Sequence, residues 1–512
     1  MLGLLLAACS RAVEPPPAGV LRTASSTDVP TLDPAIGYDS ESWRFEQMLF
    51  STLVDYDDES KLVPEAAERW EVSDDGRTYT FHLDPRVRFS NGRPMVAADV
   101  KYSLERVLRP QTRSQGQEFF MGIEGAPEFV DGRSQAVSGI EVDGEHTVRI
   151  RLRDFDPIFL HKIAMQFGAI VPREVAEAEG EDFGTRPIGS GPFALEQWQR
   201  GQRLRLRRNP HYFRPGEPKL EGVEHLVGVN EQLEWLKYEA GELDVVDIPA
   251  SEFPLVARDP AYRDLLISKT AMRTAYLGLN CQVPPFADAR VRRAVGHAID
   301  RDKALRLINR RGEAAAGLVP PGIPGYDADA PSPRYDPEAA RALLREAGFP
   351  DGVDTELWVR TDEGVLRLAQ SYQQDLAAVG IRAKIKNLSW ASFLEAIRTP
   401  NLVPMLAISW EADFPDASNF LEVLLHTRSI GSNNYSFFSD ADFDAFLDSA
   451  AHTVEPSARL ALLERAQKRM LDLEALVPLY YPVTFEAIQP RVKNYRLHPL
   501  RPPRLDNVET LD

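Results

Sequence analysis

The sequence predicts a mixed α/β protein of several lobes, on three observations. Its 512 residues are enough for two to four domains, each with a core of its own. Segments with the two-residue period of half-buried strands alternate with segments of helical period, and no internal repeat organises them. No apolar run reaches the roughly 18–20 residues that a membrane-spanning helix needs.

Each element has a local cause. Ser73-Asp-Asp-Gly76 is a turn signal, and Thr78–Leu83 behind it alternates as a half-buried strand. Asn91-Gly92 makes a further turn; Asp99 can then cap a helix that lines up Val100, Leu104, Val107 and Leu108. Asp288 precedes Val291, Ala294, Val295 and Ala298 in the same way. Asp336-Pro337-Glu338 combines a cap, a first-turn proline and an acid at the positive end of the helix dipole, and Gly348 stops that helix. A longer helix is predicted from about Val365 to Val379, ending at Gly380, with a strand over Ile381–Ile385. Pro456 opens a helix through Leu460, Leu463 and Met470, and Leu476–Tyr481 is an apolar strand candidate.

The charge balance narrows the function. Lys and Arg total 59 against 77 Asp and Glu, a net charge of −18, which argues against a broad basic field for nucleic acid. Two cysteines, Cys9 and Cys281, cannot build a disulfide framework or a multi-cysteine metal site. No phosphate-binding loop, H-E-x-x-H or nucleophile elbow is present. The nine histidines show no pair at ligand spacing, so neither metal nor cofactor is expected. Gly189-Ser-Gly-Pro192 lacks a third glycine, and its proline removes a donor, so it is expected to be a tight structural turn. Cys281, directly after an apolar segment, is expected to be an inert thiol. Trp390 is expected in a core.

The N-terminus is distinctive. Met1–Ala8 is almost wholly apolar, and Leu6-Ala7-Ala8-Cys9 resembles a bacterial lipobox, although no Lys or Arg precedes it. On that reading residues 1–8 are a signal segment, Cys9 is lipidated, and residues 9–19, rich in proline, are a tether. Several acyl chains on Cys9 would anchor the protein stably.

A series of segments runs through the rest of the chain. Thr31-Leu-Asp-Pro34 precedes Leu53-Val-Asp-Tyr56, then Pro64-Glu-Ala-Ala-Glu-Arg-Trp70 and Phe89-Ser-Asn-Gly-Arg-Pro94. Pro187-Ile-Gly-Ser-Gly-Pro-Phe193 leads to Arg208-Asn-Pro-His-Tyr212, Tyr276-Leu-Gly-Leu-Asn280 and Ser409-Trp-Glu-Ala-Asp-Phe-Pro415. In this order they resemble the extracellular solute-binding proteins of oligopeptide, dipeptide and nickel ABC importers.

The resemblance implies a two-lobed periplasmic-binding-protein fold with an additional inserted domain near the N-terminus. It places a discontinuous domain at 20–45, 186–270 and 480–512, the inserted domain at 46–185 and the second lobe at 271–479. It implies a monomeric, non-enzymatic protein at the periplasmic or cell-surface face. A peptide-like ligand would pass from it to a permease pair with ATPase subunits. Binders of nickel complexes, haem, opines or sugars, or a secreted peptidase, are the alternatives. Asp413 of Trp410-Glu-Ala-Asp matches the aspartate that pairs with a peptide's α-ammonium; its other reading is a cap for the turn before Pro415. Ser409 and Trp410 match a strand that offers main-chain hydrogen bonds to an extended peptide, and Tyr38, Asp39, Ser40 and Glu41 a second strip of ligand-contacting backbone. Arg360 and Arg367 are candidates for a ligand carboxylate.

Overall fold

The computed structural model describes residues 17–511. Cys9, the signal segment and most of the expected tether lie outside the described residues.

Three main sheets organise the chain. In the first, Val20–Ser25 runs parallel to Gly222–Val227, followed by antiparallel Arg203–Arg208 and Phe193–Gln199. The N-terminal strand is thus completed by strands some 200 residues later, which makes this unit discontinuous. Around it Leu21, Phe45, Phe193, Leu206 and Val223 share a core with Val492 and Leu505 from the C-terminal segment.

The second sheet is antiparallel, in the order Ala67–Val72, Thr78–Leu83, Thr147–Arg151, Ile140–Asp143. Tyr79, Phe81 and Leu83 point inward, as the period of two requires. The helix Ala97–Leu108 contributes Val100, Leu104, Val107 and Leu108 to the same core. Its N-cap is Val96; Asp99 sits one turn in, where its carboxylate accepts from the Val96 N–H at 3.0 Å and pairs with Arg93 at 2.7 Å. A carboxylate in the first turn serves the exposed donors and the dipole from either position, so the sequence signal locates the helix better than its cap.

The third sheet joins the halves of the molecule. Its spine is Leu476–Ile488, a 13-residue strand that continues well past the predicted end at Tyr481. The early part pairs with Arg273–Leu279, and the late part with Val245–Asp247 and Leu266–Thr270. Val477 and Leu479 belong to the core of the C-terminal half, whereas Ala487 packs with Trp235, Val246 and Phe253. One strand is therefore anchored in two cores, which carries the chain across between them.

The remaining helices follow their caps. Asp288, Asp336 and Asp362 cap Ala289–Ala298, Pro337–Glu346 and Glu363–Val379, the last closing on Gly380 in the left-handed region at φ 101°. Ile381–Leu388 continues as a strand parallel to Val353–Arg360. Glu455 caps Pro456–Leu473.

The Gly189–Gly191 turn has a packing cause. A Cβ on Gly189 would lie 2.0 Å from the Leu49 carbonyl oxygen, and one on Gly191 2.5 Å from that of Met48. The turn lies against the end of the helix Ser40–Leu49, where the Gly191 N–H donates to Leu49 O at 2.9 Å. Gly189→Ala is expected to destabilise the fold by about 1–3 kcal/mol, because the obstacle is backbone and cannot rotate away. Urea unfolding at an unchanged slope would measure it.

Candidate ligand-binding site

A cleft of about 950 Å³ opens where the third sheet passes between the two halves. Volumes of this size hold drug-sized or short-peptide ligands. One wall comes from the N-terminal half, with Ser25, Glu41, Arg44, Glu234 and Asp247. The other comes from Arg273, Tyr276, Arg360, Trp390, Ser409 and Glu411, and the spine strand contributes Tyr480 and Glu486 between them.

Met405–Glu411 supplies the most informative edge. All seven of its residues pair with Arg273–Leu279, from Met405 opposite Leu279 to Glu411 opposite Arg273. On its other side only Met405 and Leu406 pair, with Leu357 and Trp358. Residues 407–411 thus have no strand on that edge among the described residues, and Ala407, Ile408, Ser409 and Glu411 line the cleft. Unpaired main-chain donors and acceptors facing a cavity are a template for an extended peptide.

Of the residues singled out from the sequence, Ser409 and Glu41 line the cleft, as do Arg360 and Arg367. Tyr38 and Asp413, distant in sequence, are brought together beside one another. The Tyr38 hydroxyl donates to Asp413 Oδ1 at 3.0 Å, and Asn419 Nδ2 donates to Oδ2 at 3.1 Å. Burial raises the carboxyl's pKa, partly offset by those two hydrogen bonds. Among the described residues the Asp413 carboxylate accepts from the Tyr38 and Asn419 side chains and from no backbone N–H of the turn before Pro415. Asp416, after the proline, accepts from the Ser418 N–H at 2.9 Å and forms a bidentate pair with Arg459.

Trp410 turns toward its own lobe, packing on the core of Leu421 and Phe420, with its indole N–H donating to Asn419 Oδ1 at 3.0 Å. Asp39 caps Ser40–Leu49 through the Ser42 N–H at 2.9 Å, so Ser40 and Glu41 begin a helix, and of the segment 38–41 Glu41 lines the cleft. Trp390 corrects the expectation of a core position. It is 49% exposed, lines the cleft, and has the Arg360 guanidinium 6.0 Å from its ring. Trp390 opens its helix, capped by Ser389, while Phe393 one turn later fills the core. Cys281 is free and part-buried, and burial pushes its thiol up to about 11, which suits an inert group.

Several cleft residues escaped the sequence reading: Arg44, Glu234, Asp247, Arg273 and Glu486. A usable signal existed for two of them. Asp247 and Glu486 are lone acids in the largely apolar strands Val245–Asp247 and Leu476–Ile488. Asn419, which is 1% exposed, holds Trp410 and both ends of Asp413 at once. Its role is invisible without the fold. Among the described residues no cluster of His, Cys, Asp or Glu could hold a metal ion, and no helix is long and apolar enough to cross a membrane.

Residues 61–432 match the bacterial extracellular solute-binding proteins, family 5. The chain belongs to that family. The di/tripeptide-binding protein 2 of Pseudomonas aeruginosa is 30% identical over 459 residues, 86% of this chain and 85% of its own. The dipeptide-binding protein of Escherichia coli is 29% identical over 485 residues, 90% and 88% of the two chains. Among solved structures, the clavulanic acid biosynthesis oligopeptide binding protein 2 superposes with a TM-score of 0.89 at 28% identity, covering 97% of this chain and 96% of that one. The architecture of this family 5 protein is accordingly two-lobed, mixed α/β, with the additional sheet of residues 67–151 inserted near the N-terminus.

Proposed function

We propose that this protein is the substrate-binding component of an ABC importer. It captures a peptide-like solute between two closing lobes and delivers it to a membrane permease with its ATPase subunits. The observation that carries this reading is the open edge of residues 407–411 on the cleft, since main-chain pairing recognises any extended peptide whatever its side chains. The likeness to di/tripeptide- and dipeptide-binding relatives supports it.

In this reading the discontinuous first-lobe domain comprises 20–45, 186–270 and 480–512, the inserted domain 46–185 and the second lobe 271–479. Leu476–Ile488 and its partners supply the hinge, and closure follows from the ligand's greater affinity for the closed state. Asp413 takes the ligand's ammonium, with Tyr38 and Asn419 orienting it. Ser409 offers main chain, and Arg360 or Arg367 meets the carboxylate. The protein acts as a monomer outside the cytoplasmic membrane, held there by lipid on Cys9, and performs no catalysis.

Incubation of the purified protein with a pool of di- to pentapeptides, followed by time-resolved mass spectrometry, tests the reading. Bound peptides returned intact are the expected result. Progressive cleavage would make the protein a peptidase, and absence of any retained peptide would remove the peptide ligand.

A further inference from the structure

The two walls of the cleft differ in charge balance. On the second-lobe wall Arg273, Arg360 and Arg367 each have an acidic partner, Glu411, Asp362 and Glu363 respectively. Toward the first lobe stand Glu41, Glu231, Glu234, Asp247 and Glu486 with Arg44. Arg311, also at the cleft, places its guanidinium over the Phe253 ring at 5.5 Å.

The acidic end is not self-compensating. Asp247 and Glu486 are direct register partners on adjacent antiparallel strands, so their side chains project from the same face of the sheet. Like charges in that position destabilise a sheet. Arg44 is the cation that stands among these acids: it pairs with Glu41 at 3.9 Å and also feels the charges of Glu486 and Asp247, while its Nε has no hydrogen-bond partner among the described residues. Glu486 is hydrogen-bonded to Tyr495 through its carboxyl, yet its Oε2 is buried with no partner. Burial first, then Asp247, pushes the Glu486 carboxyl up to about 7, and the same two causes do so for Glu234. Burying carboxylates without enough counter-charge is costly, and a cation entering the cleft would relieve it.

We propose that the first-lobe end of the cleft, walled by Glu41, Glu234, Asp247 and Glu486, is a subsite for an organic cation and selects peptide-like solutes bearing a basic side chain. This rests on the peptide-binding reading above. A bare metal ion fits poorly, because these carboxylates do not converge into a metal-holding group among the described residues. An ammonium or guanidinium on a flexible stem can instead sit among acids spread over two helices and two strands. The subsite is distinct from Asp413, which follows the cleft-lining Glu411 by two residues at the far end of the open strand edge in the second lobe. A ligand spanning the walls would place its basic group toward Glu486 and its carboxylate toward Arg360 or Arg367.

Isothermal calorimetry with matched tripeptides, Lys or norleucine at each position in turn and alanine elsewhere, tests the assignment. The wild type is expected to prefer Lys at one position by at least about tenfold. Glu234→Gln with Glu486→Gln should cut that ratio to about twofold or less. Glu41→Gln, on a helix surface, provides a second variant should the pair disturb the hinge, and is expected to lower the ratio as well. Circular dichroism would check that each variant is folded. Equal affinity for Lys and norleucine peptides at every position, or an unchanged ratio in folded variants, overturns the subsite while leaving peptide binding intact. A wild type that binds neither series overturns both readings.

Discussion

Asp413→Ala is expected to weaken binding of peptides with a free amino terminus by about 2–5 kcal/mol, at least roughly thirtyfold in Kd. The carboxylate is held from two sides, by the Tyr38 hydroxyl at 3.0 Å and Asn419 Nδ2 at 3.1 Å, and an ionised carboxylate has lone pairs left for a third donor. Its cost of burial, visible in the raised pKa, is the term that an incoming ammonium offsets. Asp413→Asn keeps the shape and removes the charge, so it should lose nearly as much. An N-acetylated peptide, which has no ammonium, should bind wild type and variants alike. Calorimetry that gives equal affinities of wild type and Asp413→Ala for a free peptide would take Asp413 out of the site.

Arg459→Ala carries the largest expected effect on stability, about 3–5 kcal/mol. Asp416 and Arg459 form a two-pronged pair at 2.7 and 2.8 Å, and Asp416 is only 7% exposed. Burial alone would raise the Asp416 pKa, but the Arg459 hydrogen bonds overcome it and leave the pKa below the usual carboxylate range. A depressed folded pKa stabilises above the unfolded value near 4, and that contribution is lost as pH falls through the folded pKa. Removing Arg459 leaves a buried unpaired charge, so the variant should unfold at lower urea at neutral pH and show a flatter stability profile as pH falls below about 4. The pair also fixes the segment 412–416. Phe414 from that segment packs into the core of the inserted region with Tyr56, and its ring lies 6.3 Å from His161. The loss should therefore displace Asp413 and weaken peptide binding too. A variant with wild-type urea midpoint and ligand affinity would show that the segment is held without the pair, by Phe414 and Asn419.

Much of the local structure was legible from the chain. Asp288 and Asp336 cap their helices, and Gly380 ends a third, because capping depends on a few adjacent residues. Thr78–Leu83 reads as a strand because its alternation is intrinsic to the pleat. The family was legible as well, through short segments kept in order along the chain, and residues 61–432 match it. The glycines of Gly189–Gly191 were recognisable as a structural turn, although the neighbour that requires them, the end of the helix Ser40–Leu49, was not.

What only the tertiary structure decided is which side chains share the cleft. Asp247 and Glu486 become opposite partners through strand register, and that register is fixed by burial of apolar residues on both strands. Tyr38 reaches Asp413 across most of the chain. Trp390 faces the cleft because its helix buries Phe393 and Ile397 instead, and a helical period tells which residues share a face without telling what that face meets. Sequence by itself therefore determined the elements, the family and the kind of ligand to look for. The fold determined the charges that ligand would meet, because they come from strands and helices joined only by non-local packing.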